Sequence, residues 1–124
     1  MSVAILHQGD YLIASIQSDL TDSQVVRLRD DLTERVGAHR LRGIIVDVAG
    51  LDVIDSFVAR SLRSIAVSAK LRGAETVVVG IQPDVAIAMV QFSLNLEPLR
   101  ATLDLDEARA LLDRLTQRDT EDGR

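Results

Sequence analysis

Three aspartates and one serine crowd a short stretch of this chain. Asp47 lies near the end of a run of apolar residues, and Asp52, Asp55 and Ser56 follow that run at the start of an amphipathic pattern. Paired carboxylates can act in general acid–base catalysis. A serine at a helix start lies where free backbone N–H groups and the positive end of the helix dipole favour a phosphate. The stretch therefore allows two hypotheses: an enzymatic site built on Asp47, Asp52 and Asp55, or a phosphorylation site at Ser56.

The elements on either side would hold these residues in place. Gly43–Val48 is a β-branched run typical of a strand buried on both faces, and a turn follows at Ala49–Gly50. Asp55 then suits the cap of a helix, and Asp52 suits the cap of the turn. These structural roles are favoured over catalysis. The apolar residues of the helix recur on one face, at Val58, Leu62, Ile65 and Ala69.

Other chemistries find less support in the sequence. An aspartyl phosphate of the receiver type would need an acidic pair after the first strand and a lysine after the last. Here the first strand is followed by Gln8 and Asp10, and the single lysine, Lys70, lies in a predicted helix. The spacing of His7 and His39 predicts neither a metal site nor a partnered nucleophile. We therefore expect no catalytic residue, no cofactor and no metal.

Composition narrows the class of protein. The 124 residues are enough for one domain with its own core, and the formal net charge is −5. The negative net charge disfavours binding to nucleic acid and, for the same reason, attachment to a membrane by a basic patch. There is no cysteine and no apolar segment of about 20 residues. These features predict a cytoplasmic domain that binds neither nucleic acid nor membrane.

The predicted elements follow the order ββαβαβαβα. A hairpin of Val3–Leu6 and Tyr11–Ile16 comes first, and Thr21 with Gln24 forms a capping box for a helix that ends at Gly37. Strands separated by helices need crossover connections, so most of the sheet should be parallel. We expect an α/β fold, a mixed, mostly parallel sheet of about five strands flanked by about four helices. The later elements are the central strand and helix, a strand at Glu75–Gly80, a helix after Pro83, a strand at Leu99–Leu103 and a last helix capped by Asp104 and Glu107.

The helix predicted after Pro83 has almost no polar face. It includes Met89 and Phe92, and a helix that is apolar all round is normally buried on more than one side. We therefore predict an oligomer interface at Met89 and Phe92, in a homodimer or a larger assembly. The last helix is expected to end at Leu115, so that residues 1–115 form a single domain and residues 116–124 a flexible polar tail.

Three stretches together resemble a STAS domain. They are Gly9-Asp10-Tyr11-Leu12, the segment from Asp47 through Asp52-Val53-Ile54-Asp55-Ser56-Phe57, and the segment from Gly73 to Pro83. The last of these contains Gly80-Ile81-Gln82-Pro83, which is similar to the stressosome branch of the family, the antagonists of the RsbS type. The resemblance extends from Val3 to Leu115. It implies an anti-sigma factor antagonist that is not an enzyme.

The resemblance also implies roles for individual residues. Ser56 would be the phosphate acceptor of a serine kinase of the RsbT type, with a partner-binding surface at Asp52, Asp55, Phe57 and Arg60. The chain would hold this kinase until Ser56 is phosphorylated, co-assemble with STAS paralogues of the RsbR type, and require a phosphatase. Paralogues of that type carry a threonine acceptor in the helix after the position of Pro83, whereas Ile81–Phe92 contains neither serine nor threonine. They also have an additional N-terminal domain, which we do not expect here. An alternative within the family is a simple antagonist that binds an anti-sigma kinase.

Overall fold

The computed structural model describes residues 3–52, 54–82 and 97–122, and the backbone alone for residues 117–122. In chain order the elements are strands β1 (Val3–Gln8) and β2 (Tyr11–Ile16), helix α1 (Asp22–His39), strand β3 (Gly43–Asp47), helix α2 (Ser56–Leu71), strands β4 (Glu75–Val79) and β5 (Arg100–Thr102), and helix α3 (Leu105–Asp122). The predicted α/β class and five-stranded sheet are confirmed. The helix predicted after Pro83 lies outside the described residues, which contain three helices.

The strands lie side by side in sequence order, β1-β2-β3-β4-β5. β1 and β2 pair antiparallel, with Gln8 opposite Tyr11, which confirms the predicted hairpin. The pairs β2–β3, β3–β4 and β4–β5 are all parallel. Since parallel strands end at the same side of a sheet, the loops that follow β2, β3, β4 and β5 meet there. We call this side the carboxyl edge and the opposite side, where β2 begins at Tyr11, the amino edge.

Helices cover both faces of the sheet. α1 and α2 pack on one face, where Leu32, Val36, Ile44, Val46 and Ile65 belong to one buried cluster. α3 packs on the other face and buries its small and branched residues against the sheet. The second cluster consists of Ile13, Ile45, Val77, Val79, Ala108 and Leu112. The apolar stripe of α1 consists of Val25, Leu28, Leu32 and Val36, all buried. In α2, Leu62, Ile65 and Ala69 are buried as expected.

The helix starts follow local capping, whereas two helix ends differ from the prediction. Thr21 and Gln24 form the predicted capping box of α1. The helix does not end at Gly37, as predicted, but continues to His39, with Arg40 as a left-handed cap at φ 52°. α3 also continues beyond Leu115, the predicted end. The side chain of Thr116 is buried, and its hydroxyl donates to the carbonyl of Leu112 at 2.9 Å. No helix within the described ranges has the length and apolarity needed to cross a bilayer.

Candidate functional site

The loop after β3 is held by hydrogen bonds to its own side chains and to the neighbouring strand. Val48 N–H donates to the carbonyl of Val79 at 3.0 Å, which joins the loop to the end of β4. The carboxylate of Asp47 accepts from Ala49 N–H at 3.0 Å. Asp47, rather than the predicted Asp52, therefore caps the turn. The physical reason is reach, because a carboxylate two residues before an N–H closes an Asx turn without distorting the backbone.

Two glycines allow other backbone segments to approach this loop. A Cβ on Gly50 would lie 2.5 Å from the carbonyl oxygen of Ile16, at the end of β2. Gly80, which follows β4, has φ +86°, and a Cβ there would lie 2.8 Å from Ala49 N and 2.9 Å from the carboxylate of Asp47. The loop is therefore wedged between the ends of β2 and β4, and side chains at these two positions would displace it.

Ser56 is the first residue of α2, as the sequence indicated. Asp55 is the N-cap, and its carboxylate accepts from Val58 N–H at 2.8 Å. Ser56 is exposed, and its hydroxyl makes no hydrogen bond to any other residue that the structure describes. The first turn contains no acidic side chain after the cap. An accessible hydroxyl thus lies at the positive end of a helix dipole.

Asp52 lies on the loop between the turn and α2, and its side chain is exposed. Its backbone N–H donates to the carboxylate of Asp19 at 3.3 Å. The sequence interpretation missed Asp19. The available signal was the order of the strands: Asp19 follows β2, and β2 is parallel to β3, so both loops reach the carboxyl edge. Asp19 adds a carboxylate to those already present there.

A cavity of about 210 Å³ lies beside the N-terminus of α2. Asp19 and Asp55 contribute its carboxylates, and the other lining side chains are apolar. Those side chains are Ile16, Leu20, Val25, Leu28, Leu51, Val58, Leu62 and Ile65. The carboxyl edge thus combines an apolar recess with an acidic rim, which is the composition of a protein-docking surface more than of an anion site.

The remaining predicted partner-binding residues lie on α2. Phe57 is half-buried, and its carbonyl accepts from the hydroxyl of Ser61 at 2.8 Å. Arg60 is exposed and pairs with no carboxylate among the described residues. Asp52, Asp55, Ser56, Phe57 and Arg60 therefore share one end of the molecule. The predicted interface residues Met89 and Phe92 lie outside the described residues.

The acidic loop offers little that is typical of a catalytic centre. Asp47 and Asp55 each accept from a backbone N–H, which is the structural role favoured over catalysis. In the part of the chain that the structure describes, no three histidine, aspartate or glutamate side chains cluster in a way that could hold a metal ion. What the loop offers chemically is an accessible hydroxyl, that of Ser56.

The amino edge carries a different kind of polar site. The hydroxyl of Tyr11 donates to the carboxylate of Asp113 on α3, and Arg109 donates to the side chain of Gln8. Burial raises the pKa of Tyr11, and the hydrogen bond to Asp113 raises it further. These contacts join α3 to the hairpin turn. These hydrogen bonds have a structural role. No local sequence pattern indicates them, because the paired residues are about a hundred positions apart.

Comparison with solved structures places the same fold in stressosome proteins. The RsbS protein of Moorella thermoacetica, in a form with a serine-to-glutamate substitution, superposes with a TM-score of 0.79 at 30% identity. The match covers 94% of this chain and 99% of that protein. A second match is a chain in a structure of the stressosome, which is described there as a signal integration and transduction hub. It superposes with a TM-score of 0.71 at 28% identity. There the match covers 91% of this chain and 98% of the other.

Sequence comparison gives a related result. The chain is 28% identical to the RsbT co-antagonist protein RsbRD of Bacillus subtilis over 65% of its own length. That match covers 29% of RsbRD, so this chain spans less than a third of its relative. The STAS domain family model matches residues 2–110. The chain therefore belongs to the STAS domain family, in which it resembles the RsbS and RsbR proteins of the stressosome.

Proposed function

We propose that this chain is a phosphorylatable interaction module that holds a serine kinase of the RsbT type and releases it when Ser56 is phosphorylated. The observation that carries the proposal is the exposed hydroxyl of Ser56 at the first residue of α2, beside an apolar recess with an acidic rim. The similarity to RsbS and to an RsbT co-antagonist supports the choice of partner. The module itself performs no catalysis.

The fold can accept a phosphate at this position. A phosphoserine adds a charge of about −1.5 to −2 at neutral pH. On Ser56 that charge would face the free N–H groups and the positive dipole end of α2, which stabilise anions. The bonds that shape the neighbouring loop run between side chains and backbone at Asp47 and Asp55, and none of them uses the Ser56 hydroxyl. Phosphorylation would therefore change the surface without unfolding the loop.

The same phosphate would disfavour a docked partner. A surface that fits this edge must accommodate the carboxylates of Asp19, Asp52 and Asp55 and reach the recess between α1 and α2. A dianion at Ser56 changes both the charge and the shape at the centre of that contact, and burying it carries a large desolvation penalty. Moving a population from 99:1 bound to 1:99 requires about 5.5 kcal/mol. Electrostatic repulsion by the phosphate and the free-energy cost of desolvating it can together supply a change of that order.

The proposal extends to assembly. The similarity to a stressosome chain and to RsbRD supports co-assembly with STAS paralogues of the RsbR type in the cytoplasm, and a phosphatase would reset Ser56. The apolar segment with Met89 and Phe92 is proposed as the subunit interface on its sequence alone. Met89→Glu should then lower the mass measured by light scattering while the far-ultraviolet circular dichroism stays that of the wild type.

The test of the switch uses the wild type, Ser56→Ala and Ser61→Ala with the kinase and ATP. Ser61 is the matched control, since it lies one turn further along α2 and donates to the Phe57 carbonyl. We expect the wild type and Ser61→Ala to gain one phosphate and release the kinase in a pull-down. Ser56→Ala should bind the kinase and keep it. Ser56→Asp should release it in part, because one carboxylate has less charge than a phosphate.

Phosphate on another residue, or release of the kinase by Ser56→Ala, would overturn the mechanism. The alternative partner is tested in the same format with an anti-sigma kinase in place of the RsbT-type kinase. Tighter capture of the anti-sigma kinase by the unphosphorylated chain would assign the module to simple sigma-factor control.

A further inference from the structure

The two histidines of the chain, 32 positions apart in sequence, meet in the folded molecule. His7 lies near the end of β1, and His39 is the last residue of α1. Their ring centroids are 5.6 Å apart, with the ring planes tilted by 49°. Both side chains are exposed. The pair lies at the amino edge, at the opposite side of the sheet from Ser56.

A hydrogen bond determines which nitrogen of His7 is available. Its Nε2 lies 2.9 Å from the carbonyl oxygen of Gly9. Because a carbonyl can only accept, Nε2 carries the hydrogen, and in the neutral ring the lone pair is on Nδ1. Histidines that bind metals usually donate their other N–H to a carbonyl or carboxylate in this way, which orients the ring and raises its basicity. His7 thus has the hydrogen-bonding pattern of a metal ligand.

The distance between the rings also suits a shared metal ion. Two imidazoles that bind one ion with metal–nitrogen distances of about 2.0–2.1 Å in a tetrahedral arrangement have ring centres about 5 Å apart. The observed 5.6 Å is close to that value, and the exposed ring of His39 can turn toward Nδ1 of His7 while the bond to Gly9 holds the His7 ring. In addition, His39 lies at the C-terminus of α1, the negative end of the helix dipole, which favours a cation.

We propose that His7 and His39 together bind a divalent first-row transition metal ion such as Cu²⁺, Ni²⁺ or Zn²⁺. Imidazole is a preferred ligand of these ions. The described residues hold no cluster of three or more ligands, so water occupies the remaining coordination positions. Such a site ties the β1–β2 hairpin to the end of α1, and it binds the folded chain only, because the unfolded chain does not keep the two rings together.

The test uses the tag-free full chain with CuCl2 or NiCl2. The chain has no cysteine and two histidines, and spin-echo modulation from the remote ring nitrogens identifies imidazole bound to copper, as distinct from the N-terminal amine. We expect one copper per chain with two nitrogen ligands. In nickel titration calorimetry, His7→Asn and His39→Asn should each weaken binding by at least about tenfold, since even outer partners of a ligand contribute 10–100-fold.

Glu34→Gln is the matched control, because it removes an exposed carboxylate from the same helix without touching either ring. It should bind nickel as the wild type does. Circular dichroism of the histidine variants must match that of the wild type. Binding unchanged in both histidine variants, or lost equally in Glu34→Gln, would overturn the proposal. So would an equimolar mixture of His7→Asn and His39→Asn that recovers wild-type affinity, since the two ligands would then come from different chains.

Discussion

The two edges of the sheet use polar side chains in different ways. At the carboxyl edge, Asp47 and Asp55 accept from backbone N–H groups two and three residues further along the chain. At the amino edge, Tyr11 donates to Asp113 and Arg109 to Gln8, side chain to side chain between remote elements. The first arrangement shapes a loop, and the second joins α3 to a hairpin.

This difference bears on the switch proposed for the carboxyl edge. The side-chain bonds of Asp47 and Asp55 at the carboxyl edge are local and run to the backbone, and neither involves Ser56, so a modification of Ser56 would leave them in place. At the amino edge, the Tyr11–Asp113 and Arg109–Gln8 contacts are themselves connections between elements, so a change of one of these side chains would also loosen the fold. The following predictions test this contrast, beginning with the largest expected effect.

Leu62 is part of the packing at the carboxyl edge, since it is 3% exposed and lines the recess at the N-terminus of α2. Leu62→Ala should lower the free energy of unfolding by about 2–5 kcal/mol, the usual loss for a buried leucine. Leu71→Ala is the control, because Leu71 of the same helix is 84% exposed. It should change stability by less than about 0.5 kcal/mol. Urea denaturation measures both, and equal losses would mean that the buried face of α2 is misassigned.

Substitution of Gly80 tests how closely the end of β4 packs against the loop that follows β3. Gly80→Ala and Gly73→Ala both place a side chain at positive φ, +86° and +90° respectively. A Cβ at Gly73 meets nothing within 4 Å, whereas one at Gly80 meets Ala49. Gly80→Ala should therefore lose about 1–3 kcal/mol more stability than Gly73→Ala, the usual cost of overpacking. Chemical denaturation of the two variants side by side gives the difference. If they lose the same amount, the loop is not wedged.

Substitutions at Asp55 and Asp52 distinguish the effect of losing a helix cap from the effect of losing a negative charge. Asp55→Ala removes the N-cap of α2 and should lower stability by about 0.5–2 kcal/mol. Asp52→Ala removes an equal charge from an exposed side chain that accepts no backbone N–H, and should stay within about 0.5 kcal/mol of the wild type. Thermal unfolding measures this contrast, and kinase pull-down shows whether both substitutions weaken docking. If Asp52→Ala lost as much stability as Asp55→Ala, the stability of the loop would depend on the negative charge of Asp52.

Tyr11 probes the amino edge, with the smallest expected effect. Tyr11→Phe should cost about 0.5–1 kcal/mol at neutral pH, the lower part of the range for one hydrogen bond. The pKa of Tyr11 is raised in the folded chain, mainly by burial. Its contribution is therefore complete below the unfolded pKa of about 10 and is lost as pH rises through the higher folded pKa.

Urea denaturation from about pH 8 to about pH 11 should accordingly show the wild type losing more stability than Tyr11→Phe. The other titrating groups are shared by the two proteins and cancel in the difference. Ultraviolet absorbance reports the ionisation directly, since Tyr11 is the only tyrosine. If the difference in the free energy of unfolding between the two proteins stayed constant across this pH range, the hydrogen bond from Tyr11 to Asp113 would not contribute to stability.

Much of the scaffold was predictable from the sequence because its signals are local. The stripe of α1, the capping box of Thr21 and Gln24, and the cap at Asp55 all involve residues within a turn or two of one another. The buried run of β3 and the hairpin before it are likewise short-range patterns. The position of Ser56 at the start of α2 follows from these, so the candidate acceptor could be placed without tertiary information.

Tertiary structure decided what depends on contacts between distant segments. α1 passes Gly37, which packs closely against the side chain of Arg72 on a distant segment, and ends at His39 with Arg40 as its cap. Asp19 joins the acidic loop, and His7 meets His39, only because the sheet brings their elements together. A sequence pattern records neighbours within a few residues along the chain. Proximity across the sheet arises from burying the apolar faces of several elements at once, and no single segment encodes it.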